Sequence, residues 1–222
     1  MKLGTRRRGI MFADESVRAI LGGRKTMTRR LVARALDFGA VANAVHKDGA
    51  GTGWIAWWGH AATAEETRKM YPGDSGFRCP HGAVGDHIWV REAFCHAMDD
   101  GRCTDKILYR ADGHDVFASD GDGFHRWNKD GSEASPWRSP FYLKRADSRI
   151  TLEITDVRVE RLQDITEEDV KAEGVYTWAE GDHTCNVAET YFSAAWDRIN
   201  GKRAPWASNP WVWVINFIKI AA

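Results

Sequence analysis

Apolar residues follow three patterns along this chain, and each predicts a different kind of element. Strict alternation marks strands. In GDHIWVRE, Gly85 to Glu92, a turn leads into Ile88 and Val90 on one side, with Trp89 and Arg91 on the other. RITLEITDVRVERL, from Arg149, alternates Ile150, Leu152 and Ile154. It then changes phase across Thr155 and Asp156 to Val157 and Val159, which predicts a bulge or bend. Shorter strands are predicted over Gly9 to Phe12 and Thr26 to Val32.

Helical spacing marks three segments. DESVRAILGG puts Val17, Ile20 and Leu21 on one face, with Asp14 as N-cap and Gly22 or Gly23 closing it in a left-handed turn. TEEDVKAEG begins at Thr166 with acids in its first turn, where the helix dipole favours them, and stops at Gly174. Ala188 to Asn200 brings Tyr191, Phe192, Ala195, Trp196 and Ile199 together, with Gly201 as C-cap. The third pattern is an almost unbroken apolar run, PWVWVINFIKI, Pro210 to Ile220. It predicts a strand covered on both faces, as in a small closed or partly closed barrel.

Two stretches, at about 33–80 and 95–146, lack sustained periodicity and read as insertions into a single domain over residues 1–222. The first holds a candidate short helix around Ala64 to Met70. Its Trp54, Trp57 and Trp58 suit base stacking or, more commonly, cover of the core. The second holds a short strand at Lys106 to Arg110. Its Asp112, Asp115, Asp120 and Asp122 read as solvated loop, because the Glu that a calcium loop needs at its twelfth position is missing.

Composition narrows the class without choosing a function. The 222 residues, 43% hydrophobic and 28% charged, suit a globular enzyme or binding domain. Lys plus Arg and Asp plus Glu number 31 each, so no global field draws the chain onto nucleic acid, and any such contact must come from a local patch. The basic start MKLGTRRRGIMF has no long apolar run, and nothing later approaches the roughly 18 apolar residues of a membrane span, so a cytoplasmic protein is expected. Cys79, Cys95, Cys103 and Cys185 form no CxxC pair, and reduced thiols are expected. Cys79 with His81, and Cys95 with His96, lack the paired spacings of a zinc site, so neither metal nor cofactor is expected.

Against this neutral background GGRKTMTRR, Gly22 to Arg30, stands out. Arg24, Lys25, Arg29 and Arg30 repel one another, and a phosphate or polar base beside them would offset that repulsion. Glu173 is a second anomaly. A carboxylate in the last turn of a helix meets carbonyls that already carry partial negative charge, so a cation is expected to compensate. Glu92, with Arg91, ends a strand, where a salt bridge is the commoner role.

With Lys25, Thr26, Thr28 and Arg30, GDHIWVRE, RVERLQDITEEDVKAEG and the closing WVWVINFIKI, the chain resembles the ASCH-like family, which shares the PUA-like fold. The likeness covers roughly residues 9–31, 85–92, 149–175 and 191–220. CPHGAVGDHIWVRE and WDRINGK are similar to segments of longer members encoded in phage and prophage genomes. The resemblance implies an α+β domain, a small mixed β-barrel flanked by helices, with a cleft that in related domains takes RNA or a nucleoside. It also implies an amidohydrolase that removes the acetyl group from N4-acetylcytidine with a lysine, a threonine and a glutamate. Carried over residue by residue, these are Lys25, Thr28 and Glu173, with Arg30 beside them. KTxTxR becomes KTMTRR, so Arg29 is basic where the small enzyme has an apolar residue. Arg149 and Asn209 match positions that the longer members share. The candidates for substrate contact are Arg24, Thr26, Arg29, Arg30, Glu92 and Arg149, and the expected partner is a modified cytidine nucleoside or RNA.

Such chemistry sets two conditions. Lys25 would deprotonate Thr28, whose oxygen attacks the acetyl carbonyl, while Glu173 orients the exocyclic nitrogen or handles the leaving-group proton. A lysine of ordinary pKa, about 10.4, must fall by about 3 units to act near neutrality. Arg24, Arg29 and Arg30 push it down and Glu173 pushes it up, and an ionised Glu173 too close would leave a simple ion pair. The second condition is geometric: Lys25 and Thr28 are three apart and would face opposite sides of a regular strand, so Lys25 must belong to the turn. Three other readings stay open. One is a non-catalytic RNA or DNA binder in which Arg24, Arg29, Arg30 and Arg149 grip phosphates, another is a metal-independent ribonuclease, and the third is a phage morphogenesis or accessory protein in which the cleft is vestigial.

Overall fold

The computed structural model describes residues 7–32, 44–47, 54–57, 79–99, 102–113, 126–127, 133–134, 137–175 and 187–220. The strands are β1 (Arg7–Met11), β2 (Met27–Leu31), β3 (Ala44–Lys47), β4 (Trp54–Trp57), β5 (His87–Arg91), β6 (Phe94–Asp99), β7 (Arg102–Tyr109), β8 (Arg126–Trp127), β9 (Glu133–Ala134), β10 (Thr151–Arg161) and β11 (Trp211–Ile220). The helices are α1 (Asp14–Leu21), α2 (Glu167–Ala172) and α3 (Val187–Asn200). Five strands make one mixed sheet in the order β1-β5-β10-β11-β2, in which β1 and β5 are parallel and the other pairs antiparallel.

β11 is apolar throughout because both of its faces are used. Val212 and Val214 enter a cluster with Met27 of β2, Leu162, Val170 of α2, and Phe192 and Trp196 of α3. Trp213, Ile215 and Phe217 enter the larger cluster with Ile10, Ile20, Ile88 and Leu152. All five β11 residues are at most 2% exposed, so a polar side chain at any of them would be stranded away from water. The phase change in β10 is also present, as a register shift between Ile154 and Asp156. It lets Ile154 and Val157, three positions apart, reach the same core.

The closed barrel is not what the pairing gives. Among the described residues no ladder joins β1 to β2, and the sheet stays open at that seam. Side chains bridge it instead. Arg30 donates from Nη2 to the Met11 carbonyl at 2.7 Å and stands over the Phe12 ring, 5.1 Å from its centroid. Phe12 in turn meets Phe217 edge-on.

Other expectations need correction in detail. Ala13 takes the N-cap of α1, and Asp14 is its first residue, its carboxylate turned to Arg110 at 2.6 Å. Ala19 is buried on that helix where Leu21 is exposed. α3 buries Phe192 and Trp196 and exposes Tyr191 and Ile199. The second insertion is not irregular throughout, since β6 and β7 pair from Phe94↔Tyr109 to Asp99↔Arg102. The first carries the β3–β4 ribbon. The helix over 64–70, residues Asp115, Asp120, Asp122, Trp58 and Cys185, and the side chains of Trp54, Trp57 and Cys103 lie outside the described residues. No helix among those described is long and apolar enough to cross a membrane.

Candidate active site at the open seam

The basic stretch is held by three elements at once. Gly23, at φ +73°, ends α1, and the amides of Arg24 and Lys25 both donate back to the Ala19 carbonyl, at 2.9 and 3.1 Å. The Thr26 amide donates to Ala172 at the end of α2, and the Thr26 carbonyl accepts from Phe217 on β11. Lys25 therefore belongs to the corner and not to β2, as its spacing from Thr28 requires.

α2 delivers Glu173 to the same corner. Thr166 and Asp169 form a reciprocal cap at its start, and Glu173 is its C-cap residue. Gly174 follows at φ +75°, and a Cβ there would lie 2.9 Å from both the Ala19 and the Lys25 Cβ, so only glycine allows the two helices this approach. Lys25 donates from Nζ to the Glu173 carbonyl at 2.7 Å and to Glu173 Oε2 at 2.5 Å. This is the cation that a carboxylate at a helix C-terminus demands. Both side chains are buried.

Burial holds the Lys25 amine below the usual lysine range. Glu173 opposes that through charge and hydrogen bond, and the guanidinium groups of Arg30 and Arg29 reinforce it. Thr28 is 4% exposed, opposite Ile215 in the ladder and on the same side of β2 as Arg30. Lys25 Nζ lies 5.9 Å from the Phe12 ring centroid, so Lys25 and Arg30 share one ring. Burial lowers Arg30, against the pull of Glu173. Two buried polar atoms lack a partner here, Glu173 Oε1 and Arg30 Nε.

The remaining candidates separate. Arg24 and Thr26 are exposed at the corner. Arg29 points to the opposite side of β2, where Nη2 binds Asp169 at 2.6 Å and Nη1 stands 3.7 Å from Glu173 Oε1. Arg158 joins that network through Asp169 and Glu160. Arg29 thus backs Glu173 from behind and is a positioning residue. Glu92 and Arg149 form a cluster of their own: Arg149 donates to both Glu92 oxygens at 2.9 and 2.8 Å, and to Asp112 at 2.7 Å. Among the described residues no hydrogen bond or ion pair links this cluster to Lys25. Asn209, at φ +41°, accepts from the Gln163 amide through its side chain.

Sequence reasoning missed two neighbours of the site. Phe12 was legible only as a strand residue. His81 lies near enough to Arg30 and Arg8 that, with burial as the main cause, its imidazole is held down to about 4. Its signal in the sequence is its place in the CPHG turn that precedes β5. Cys79 and Cys95 are free thiols pushed up by burial. Among the described residues no three His, Cys, Asp or Glu side chains are grouped to hold a metal.

No family model, no curated protein and no solved structure matches the chain.

Proposed function

We propose that this protein is a nucleoside- or nucleic-acid-directed hydrolase of the ASCH-like kind, an amidohydrolase that deacylates N4-acylated cytidine or cytosine. The reading rests chiefly on one observation. A buried lysine, lowered by burial, is held by two contacts to a helix-end glutamate, on a corner that leads into the strand bearing the buried Thr28. A partly closed barrel of PUA-like type would have its cleft where the β1–β2 seam is open, and this too is part of the proposal. So is a cytoplasmic setting, in which Cys79 and Cys95 stay reduced.

In this reading the neutral Lys25 amine takes the Thr28 proton as the Thr28 oxygen adds to the acyl carbonyl carbon. Collapse of the tetrahedral intermediate breaks the C–N bond, and the proton passes from Lys25, by way of Glu173, to the departing exocyclic nitrogen. Water then cleaves the acyl-Thr28 ester, releasing the carboxylic acid and restoring the hydroxyl. Arg30 would stabilise the oxyanion, with Phe12 beneath it limiting solvent.

A second reading, a binding module without catalysis, is favoured by the 2.5 Å Lys25–Glu173 contact, which keeps the lysine charged if Glu173 is ionised. Incubation with a panel of N4-acylated cytidines and cytosines, followed by chromatography, separates the two. Turnover by the wild type that is lost in Thr28→Ala and Glu173→Gln supports the hydrolase. Absence of turnover removes the hydrolase and leaves the binder, whose mark is affinity falling steeply with salt, whereas full turnover in Thr28→Ala removes only the Thr28 mechanism.

A further inference from the structure

Away from the seam, the surface carries two aromatic rings that folding leaves in water. Phe141 and Tyr142 are 62% and 61% exposed, although rings of that size gain from burial. They sit on a stiff turn, Pro140–Tyr142, with proline at its start and the Ser139 hydroxyl accepting from the Phe141 amide at 3.3 Å. Leu143, 2% exposed, anchors one end. At the other end Arg138 exchanges backbone hydrogen bonds with Phe94, at 2.7 and 3.4 Å. With both ends fixed, the rings are held outward and are not simply loose.

Two arginines interleave with them. The Arg91 guanidinium lies 4.6 Å from the Trp89 ring centroid and 5.8 Å from that of Phe141. Arg138 lies 5.6 Å from Phe94 and 5.9 Å from Tyr142. β1 makes room for this layer, because a Cβ at Gly9 would fall 2.6 Å from Arg91 Nε and 2.7 Å from the Trp89 ring. Beyond the turn, Lys144 and Arg145 are exposed, so residues 138–147 hold three cations against one acid, Asp147.

We infer that this face binds single-stranded nucleic acid, with bases stacking on Phe141 and Tyr142 and phosphates meeting Arg138, Lys144 and Arg145. Rings and guanidinium planes accept any base, because every base has a π-face. In a chain of zero net charge, a local patch of this kind is what draws a polyanion. A membrane would call for the rings as a wedge ahead of the cations, whereas here the guanidinium groups lie over the rings. The platform also leads toward the seam, since Arg91 pairs with Met11 in the β1–β5 register and the Met11 carbonyl accepts from Arg30. That one strand runs from platform to seam rests on the deacylase reading; the platform itself does not.

The test is fluorescence anisotropy of the full chain with labelled single-stranded RNA and DNA of roughly 12 nucleotides. The double variant F141A/Y142A is expected to bind at least about tenfold more weakly than the wild type. Arg138→Ala should flatten the dependence on salt, and free N4-acetylcytidine should be turned over as before by the double variant. RNA and DNA weakened alike would assign recognition to base and phosphate; a loss confined to RNA would add the ribose. Equal binding by wild type and double variant overturns the inference. So does wild-type binding to anionic phospholipid vesicles with none to either oligonucleotide. Ring-dependent binding without nucleoside turnover keeps the platform and rejects the deacylase; turnover without oligonucleotide binding does the reverse.

Discussion

Among the described residues two buried carboxylates meet a cation, and they are finished differently. Glu92 receives Arg149 on both oxygens, the remaining guanidinium nitrogen goes to Asp112, and the Tyr109 ring lies 4.1 Å from the guanidinium. Nothing is left over. Glu173 gives one oxygen and its carbonyl to Lys25 and keeps Oε1 without a hydrogen bond, while Arg30 Nε is also unbonded. Buried polar groups are nearly always satisfied, so a cluster that saturates itself is doing structural duty, and one that keeps capacity is where a ligand would find partners. Both clusters sit among the candidates that the sequence offers, and only the hydrogen bonds separate them.

The sharpest way to break this contrast is to remove each cation in turn. Lys25→Met is expected to cut turnover of N4-acetylcytidine by about 1,000-fold in steady-state assays, the scale of losing a general base. A loss below about tenfold would return Lys25 to the structural ions. Arg149→Ala should act on the other axis. It leaves the Glu92 carboxylate buried without its partner, at a cost of about 3 kcal/mol in urea unfolding. Turnover per folded molecule should not change. Were turnover lost with stability intact, Arg149 would belong to the site and the contrast would fail.

Gly174→Ala probes the hinge between the helix end and the corner. The left-handed φ and the two 2.9 Å Cβ approaches both oppose a side chain, so about 2 kcal/mol of stability should be lost. Because the clash is with Lys25 and Ala19, turnover per folded molecule should fall as well, unlike in Arg149→Ala. Equal turnover by wild type and G174A would mean that Glu173 keeps its place without help from the close packing.

The sequence made legible whatever a single periodicity or cap decides. β10 with its bulge, β11 with both faces apolar, α2 with its cap, and the need for a cation at Glu173 all follow from local spacing. What escaped it depends on contacts distant in the chain. β6 and β7 flank Asp100–Gly101, a pair that favours tight hairpins, but the first strand, FCHAMD, has too little alternation to announce itself. Asp14 is drawn from the capping role by Arg110, 96 residues away. Arg29 looked like part of a substrate-facing cluster because adjacent cations share a sequence, yet neighbours on a strand face opposite sides, and the acids of α2 and β10 claim it. Whether the sheet closes was beyond reach, since that depends on how the bulky seam residues Phe12 and Arg30 pack.

The smallest expected effect tests whether the seam is electrostatically one unit. Burial, with the charges of Arg30 and Arg8, holds the His81 imidazole at about 4, against 6.5 for the free side chain. Between those values the unfolded chain binds more protons than the folded one, so stability rises with pH through the window and falls as the solution is acidified toward 4. The full shift corresponds to about 3 kcal/mol, and partial solvent contact brings the expected loss to about 1–2 kcal/mol. Glu92 works in the opposite sense, because burial raises its carboxyl, and that contribution weakens as pH rises above 4.5. His81→Gln should therefore flatten the acid side of the stability profile between about 4 and 6.5 and leave the Glu92 contribution in place. Replacing Arg30 as well should then add little to the flattening, since its charge acts on the imidazole already removed. Urea unfolding at a series of pH values measures both, and an unchanged slope in His81→Gln would detach His81 from the seam.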